Sequence, residues 1–217
     1  MGEFMMDTAC SKNGQLEWYI ATRPFPGEEH CGDSHLVAET TTGWLLAVAD
    51  GLGHGPEAAV ASRSLMEVVR HHIEEPPDRL LRLCHEALKN TRGSAATVVS
   101  IDRKRCLLSW AGVGNVEGVI RHANPALPRE YITMRGGIVG ARIPGLQTSF
   151  LQLQDGDILV LATDGIDCRF VQVMGLPHPP DKLAGYILER YAKPHDDALV
   201  LVARYLFTAT TPGGTSS

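Results

Sequence analysis

Residues 47–55 read Ala-Val-Ala-Asp-Gly-Leu-Gly-His-Gly, and the organisation of the whole chain can be built outward from them. The apolar run 44–49 predicts a buried strand that delivers Asp50 at its end. Three glycines at alternate positions follow, and Pro56 then begins a predicted helix. Glycine permits positive φ and close approach to the backbone, so this turn could admit a hard cation or a phosphate. The spacing matches neither a dinucleotide fingerprint nor a P-loop, and the glycines alone fit a plain strand–turn–helix connection equally well.

The same arrangement of a carboxylate at a strand edge recurs at three other places. Residues 155–165 hold an apolar strand that ends at Asp164, the pair Asp196-Asp197 leads into the apolar run 198–203, and Asp33 precedes a further strand. A single aspartate at a strand end usually forms a turn or cap. If these strands share one core, their ends could bring the carboxylates together. Such a cluster would repel itself unless divalent cations neutralised it, and ligation by oxygen alone favours Mg²⁺ or Mn²⁺.

Six short motifs occur in an order that is typical of one enzyme family. They are Cys-Gly-Asp-Ser (31–34), Ala-Asp-Gly-Leu-Gly-His-Gly (49–55), Arg-Gly-Ser-Ala-Ala-Thr (92–97), Gly-Val-Gly-Asn-Val (112–116), Ala-Thr-Asp-Gly (162–165) and Asp-Asp-Ala-Leu (196–199). Over residues 14–206 the chain resembles the metal-dependent protein phosphatases, the type 2C serine/threonine class, in their SpoIIE-like bacterial branch. Within that branch it is most similar to the small stand-alone feedback phosphatases of the bacterial stressosome.

The resemblance implies a site that holds two Mn²⁺ or Mg²⁺ ions. Asp50 would bridge both ions, and the Gly51 carbonyl would bind one of them. Asp164 and Asp196 would complete the other ion's ligands, and Asp33 would contact its ion directly or through water. The residues expected to carry catalysis are then Asp50, Asp164 and Asp33, through a metal-activated water that attacks phosphorus.

Three points of this assignment stay open in the sequence. Asp197 is an alternative to Asp196, which is favoured because the family's corresponding pair uses its first member. Animal enzymes of the family place a histidine, the proposed general acid, directly after the Asp-Gly, whereas Leu52 stands here. His54 is a candidate for that role, with an exposed loop histidine as the alternative. The family's phosphate-binding arginine is also missing, because residues 28–30 are Glu-Glu-His.

The pattern of apolar residues predicts many strands interrupted by few helices. Strands are predicted at 15–22, 35–39, 44–49, 95–101, 106–111, 117–122, 131–134, 148–153, 158–162 and 198–205, and helices at 56–72, 79–90 and 180–192. Asp78 is the predicted N-cap of the second helix, and Asn115 is interpreted as a turn residue. This succession does not alternate as a parallel α/β fold would. We therefore expect an α+β protein, a four-layer αββα sandwich of two antiparallel sheets flanked by helices, as the resemblance also implies.

Composition sets the limits of the domain organisation. The chain has 217 residues, 44% of them hydrophobic, which is enough for one core. We expect an N-terminal extension (1–13, partly cloning-derived or flexible), one phosphatase domain (14–207) and a disordered tail (208–217). A net charge of −5 with scattered basic residues argues against nucleic acid as a partner, and no apolar run is long enough to predict a membrane span. Five cysteines without C-x-x-C spacing are typical of a reducing cytoplasm, and a monomer is expected.

The expected substrate follows from the resemblance alone. It implies removal of phosphate from phosphoserine or phosphothreonine on STAS-domain proteins of the stressosome (RsbR- and RsbS-like), giving feedback control of a stress-signalling pathway. One alternative is a phosphatase of a free anti-anti-sigma factor. The other is a catalytically inactive domain that only binds partners, although the four acidic positions are all present.

Overall fold

The computed structural model describes residues 5–10, 15–175 and 178–207. In chain order the strands are β1 (Met5–Cys10), β2 (Leu16–Arg23), β3 (Asp33–Glu39), β4 (Gly43–Gly51), β5 (Ser94–Asp102), β6 (Leu107–Val113), β7 (Glu117–Arg121), β8 (Glu130–Ile132), β9 (Ser149–Gln152), β10 (Ile158–Ala162) and β11 (Ala198–Tyr205). The helices are α1 (Pro56–His71), α2 (Pro77–Ala87), α3 (Pro180–Tyr191) and one 3₁₀ helix, Cys168–Gly175.

The strands form two sheets whose ladders are antiparallel. One has six strands in the order β1-β2-β11-β10-β7-β8, and the other has five in the order β3-β4-β5-β6-β9. Helices α1 and α2 pack on the outer face of the five-stranded sheet, while α3 and the 3₁₀ helix pack on the six-stranded sheet. The predicted α+β fold, a four-layer αββα sandwich, is confirmed.

Three clusters of buried apolar side chains join the two sheets and the helices that flank them. The central one lies between the sheets and includes Ile20, Trp44 and Leu201. The outer ones join each sheet to its helices, through residues such as Leu65 on α1 and Phe170 in the 3₁₀ helix. Strands β4, β10 and β11 are buried on both faces, which explains why their sequences are continuous apolar runs rather than alternating ones.

The helix starts follow local rules, with one exception to the predictions. Helix α1 begins as predicted at Pro56 after Gly55, whose φ is 74°. Helix α2 begins at Pro77, after Pro76, without a side-chain cap. The prediction that Asp78 caps this helix is therefore wrong. Asp78 lies in the first turn, where its carboxylate accepts a hydrogen bond from Thr148 Oγ1 at 2.8 Å.

Each predicted strand and helix overlaps an observed element, and two elements were not predicted. Strand β1 pairs with β2 from within the segment expected to be an N-terminal extension, and the 3₁₀ helix follows Asp164. The proposed domain boundaries stay a prediction, and the expected disordered tail, 208–217, lies outside the described residues. Among the helices that the structure describes, none has the length and apolar character needed to span a membrane.

Candidate metal and phosphate site

Two of the predicted aspartates face each other in neighbouring strands of the five-stranded sheet. Asp33, the first residue of β3, is directly opposite Asp50 near the end of β4. The amide of Gly51 donates to the Gly32 carbonyl at 3.1 Å, which closes this end of the strand pair. Gly51 has no room for a side chain, since a Cβ there would lie 2.0 Å from the Ala58 carbonyl oxygen of α1. The Asp-Gly pair therefore places the carboxylate while the glycine admits the helix backbone.

The other acidic residues come from the six-stranded sheet. Asp164 follows β10, and Asp196 and Asp197 precede β11, which is the antiparallel neighbour of β10. The buried Thr163 links the two sheets, because its Oγ1 donates to Asp33 Oδ2 at 2.7 Å and its amide donates to the Leu199 carbonyl at 3.1 Å. The adjoining ends of both sheets thus carry all the predicted acidic residues.

The carboxylates are close enough to change one another's ionisation. Burial raises the pKa of Asp50 to about 8, with repulsion from Asp164 and then Asp196 as the next causes. Burial, followed by the charge of Asp50, raises the pKa of Asp33 well above its usual range. Burial and the charge of Asp164 likewise raise the pKa of Asp196. The structure therefore brings together Asp33, Asp50, Asp164, Asp196 and Asp197, five carboxyl groups with a shared electrostatic cost.

Comparison with known proteins identifies the family of the chain. The family model for Stage II sporulation protein E (SpoIIE) matches residues 40–206. The chain belongs to the SpoIIE family. This membership confirms the predicted class of enzyme, a metal-dependent phosphoprotein phosphatase. The matched range includes Asp50, Asp164, Asp196 and Asp197, while Asp33 lies before it.

Individual relatives are similar over most of the chain. Phosphoserine phosphatase RsbX of Bacillus subtilis (strain 168) is 26% identical over 141 residues, which are 65% of this chain and 70% of RsbX. A second similar chain was solved in work on the bacterial stressosome, described there as a modular system adapted to control secondary messenger signaling. It is 32% identical to this chain with a TM-score of 0.80, and the match covers 88% of this chain and 100% of the stressosome chain. A crystal structure of RsbX in complex with magnesium has a TM-score of 0.83 at 21% identity, covering 93% and 100% of the two chains, and this likeness shows the fold.

In this SpoIIE-family chain the adjacent Asp196 and Asp197 have different surroundings. Asp197 is only 3% exposed, and its Oδ1 accepts a hydrogen bond from the Phe25 amide at 2.8 Å. Its Oδ2 is buried with no hydrogen-bond partner in the described structure, and a Cβ on Gly32 would lie 2.7 Å from it. Asp196 is less buried. The assignment of Asp196 rather than Asp197 as the metal ligand stays a prediction, since one oxygen of Asp197 accepts the Phe25 amide while its other oxygen is unpaired.

Asn115 is a site residue that the sequence reasoning missed. It was interpreted as a turn residue, but its Nδ2 donates to Asp164 Oδ2 at 2.5 Å. The preceding Gly114 has a φ of 94°, and a Cβ there would lie 2.4 Å from the Ala95 Cβ. The Gly-Asn dipeptide did indicate a turn between β6 and β7. It could not show that the turn projects its amide toward a carboxylate that lies 49 residues further along the chain.

The residues present fit divalent cations by donor type and charge. The donors are carboxylate and carbonyl oxygens, the ligands that Mg²⁺ and Mn²⁺ prefer, and repulsion among them would be relieved by positive charge. As the side chains are placed, no group of three His, Cys, Asp or Glu residues in the described part of the chain stands ready to hold a metal ion. Asp164 accepts a hydrogen bond from Asn115, and burial together with repulsion from Asp164 raises the pKa of Asp50.

His54 is exposed in the loop, as the alternative interpretation expected, and its ring contacts two neighbouring residues. Its ring stacks on Phe25 with the ring centroids 4.1 Å apart and the planes at 15°. Its Nδ1 is 3.1 Å from Glu28 Oε1. Because the Phe25 amide binds Asp197, this stack connects the loop after Asp50 with the acidic cluster. Leu52, the residue directly after Gly51, has no such polar contact to offer.

We predict that Asp50→Asn stabilises the metal-free protein at neutral and alkaline pH. Because the pKa of this carboxyl is about 8 in the folded protein, well above that of an unfolded aspartate, it contributes stability at low pH that is lost as the pH rises through 8. The variant should therefore melt higher than the parent at pH 8 in chelator, by roughly 5 °C for a chain of this size. Differential scanning fluorimetry between pH 5 and pH 9 measures this. The surface substitution Asp181→Asn is the control, and equal melting temperatures for the Asp50 variant and the parent at pH 8 would contradict the prediction.

We also predict that Asp196→Asn and Asp197→Asn differ in metal affinity. Asp196→Asn should weaken Mn²⁺ binding more than about tenfold, because a ligand charge is lost. Asp197→Asn should stay within about threefold of the parent, since the asparagine oxygen can still accept from the Phe25 amide. Calorimetric titration with Mn²⁺ decides between them, and the reverse order would transfer the ligand assignment to Asp197.

Proposed function

We propose that the protein is a Mn²⁺- or Mg²⁺-dependent serine/threonine phosphatase that hydrolyses phosphoserine and phosphothreonine on STAS-domain proteins of the stressosome, RsbR- and RsbS-like. The observation that carries the proposal is the convergence of Asp33, Asp50, Asp164 and Asp196 at the adjoining ends of two sheets. Burial and mutual repulsion make this cluster unfavourable without cations. The products of the reaction would be inorganic phosphate and a free serine or threonine hydroxyl. Removal of the phosphate would give feedback control of a stress-signalling pathway.

In this proposal, some residues of the chain would hold the metal ions and others would position the carboxylates. Asp50, Asp164, Asp196 and the Gly51 carbonyl would hold two ions, with Asp33 as a further ligand directly or through water. Divalent ions in such a site supply Lewis acidity and lower the pKa of a coordinated water, which is the chemistry that phosphate monoester hydrolysis requires. The remaining contacts keep the carboxylates in place, through the Thr163 bond to Asp33 and the Asn115 bond to Asp164.

Protonation of the leaving oxygen is assigned to His54 in this proposal. The contacts to Phe25 and Glu28 orient the imidazole within the loop that follows Asp50. A histidine oriented by a carboxylate is a common general acid. The position that animal enzymes of the family use for this purpose is Leu52, which cannot donate a proton.

A polypeptide substrate fits the surroundings of the cluster. A cavity of about 550 Å³ is lined by residues of β7, β8 and the 3₁₀ helix, among them Glu117, Tyr131 and Arg169. Glu117 is opposite Ala162 in the β7–β10 pair, two residues before Asp164, and this register places one end of the cavity near the site. The stressosome assignment is supported by the likeness to RsbX and to the stressosome chain. We further propose that the protein acts as a monomer in the cytoplasm.

We predict that Asp50→Asn and Asp164→Asn each reduce turnover of para-nitrophenyl phosphate below a tenth of the parent rate at saturating Mn²⁺. Loss of either carboxylate removes a ligand charge from the site. The parent should require Mn²⁺ and lose activity in chelator, while Asp181→Asn should be unaffected. A parent without metal-dependent hydrolysis would instead support an inactive partner-binding domain, and a variant that keeps more than a tenth of the rate would remove that residue from the site.

We predict that phosphate is released from phosphorylated STAS-domain stressosome scaffold proteins faster than from a phosphorylated free anti-anti-sigma factor. The measurement compares phosphate release from both substrates at equal concentration with Mn²⁺, with Asp50→Asn as the blank. Faster release from the free anti-anti-sigma factor would favour that alternative. No release from either, with para-nitrophenyl phosphate still hydrolysed, would leave the phosphatase chemistry and remove the stressosome substrate.

A further inference from the structure

Lys193 is held beside the acidic cluster by its backbone. Its amide donates to the Gly165 carbonyl at 2.7 Å, and the Arg23 guanidinium donates to its carbonyl. An isolated bridge between Ile166 and Ala192 joins the same two segments. The backbone position of Lys193 is therefore fixed by the loop that carries Asp164. It does not depend on the conformation of the exposed lysine side chain.

The ammonium group of Lys193 binds a main-chain carbonyl rather than a carboxylate. Its Nζ donates to the Asp164 carbonyl oxygen at 2.5 Å. An ammonium group has three N–H donors, and within the described residues the other two make no hydrogen bond. The side chain is exposed, so these two donors are available to a ligand that reaches Asp164.

The charge of Lys193 acts on the site, whereas two other cations, Arg169 and Arg92, are paired with carboxylates. Burial raises the pKa of Asp196, and the positive charge of Lys193 opposes that rise. Arg169 is paired through two nitrogens with Asp167, and Arg92 forms an ion pair with Glu57. Lys193 has no carboxylate within ion-pair distance among the described residues.

A cation in this place is unfavourable for metal binding alone. Positive charge beside Asp164 and Asp196 repels divalent ions, so a site that only held metals would be stronger without Lys193. The same charge becomes favourable when the site must also bind a dianion. Lysine is a common phosphate ligand that acts as a point charge.

Building on the proposed phosphatase function, we infer that Lys193 binds a non-bridging oxygen of the substrate's phosphoryl group while its Nζ stays anchored on the Asp164 carbonyl. The inference assigns a substrate-binding role to a residue that no motif of the sequence indicated. It requires Lys193 to have opposite effects on the two kinds of ligand, favouring the anion and opposing the metal.

The test is calorimetric titration of inorganic phosphate into the Mn²⁺-loaded protein, together with titration of Mn²⁺ into the metal-free protein. Lys193→Gln should weaken phosphate binding about tenfold, the usual effect of losing one charge-assisted hydrogen bond. Its Mn²⁺ affinity should be unchanged or up to about threefold higher. Lys193→Arg should retain phosphate binding within about threefold. Lys182→Gln on α3 removes the same charge away from the site and should change neither affinity.

The outcomes separate this inference from the proposed function. If Lys193→Gln binds phosphate as tightly as the parent, or loses phosphate and Mn²⁺ together, Lys193 is not a phosphoryl ligand. If either of these results is obtained while the parent hydrolyses para-nitrophenyl phosphate, only the assignment of Lys193 as a phosphoryl ligand is overturned. If the parent neither binds inorganic phosphate nor hydrolyses the ester, both the inference and the proposed function are overturned.

Discussion

Repulsion between carboxyl groups that the sheets hold together is the constraint on which this site depends. Asp33 and Asp50 are opposite each other in paired strands, so neither can move away without breaking the register of β3 and β4. Burial limits screening by water and raises the pKa of both residues. The metal-free fold therefore contains an electrostatic cost, and relief of that cost is free energy available for cation binding. Stability without metal and affinity for metal are opposed in this arrangement.

The recurrent Asp-Gly pairs show how the chain brings these charges so close. A Cβ on Gly165 would lie 1.7 Å from the Asp197 carbonyl oxygen, and one on Gly51 would lie 2.0 Å from that of Ala58. In each pair the aspartate supplies the charge, and the glycine lets the next segment of backbone pack against the turn. A side chain larger than hydrogen would separate β10 from the segment before β11, and with it Asp164 from Asp196. The glycines are thus as necessary to the acidic cluster as the carboxylates.

The sequence was sufficient for the elements that bury continuous apolar surface. Strands β4, β10 and β11 are continuous apolar runs, and helices α1 and α3 carry their buried apolar residues at helical spacing. It was insufficient where a tertiary contact replaces a local one. Asp78 has the chemistry of a cap, but Thr148 binds its carboxylate, 70 residues away in the sequence. The roles of Asn115 and Lys193 likewise depend on the loop around Asp164, and local propensity carries no information about that loop.

A centre that must bind divalent cations and then a phosphate needs charges of both signs within one small region. In this site the negatively charged residues are more deeply buried than the positively charged one. Asp33 and Asp197 are buried, Asp50, Asp164 and Asp196 are partly buried, and Lys193 is exposed. Solvent weakens the repulsion between the lysine and a metal held by the deeper carboxylates, whereas a phosphoryl oxygen in direct contact with Nζ would keep most of its attraction. The gradient of burial therefore lets one lysine favour the anion strongly while opposing the cations only weakly.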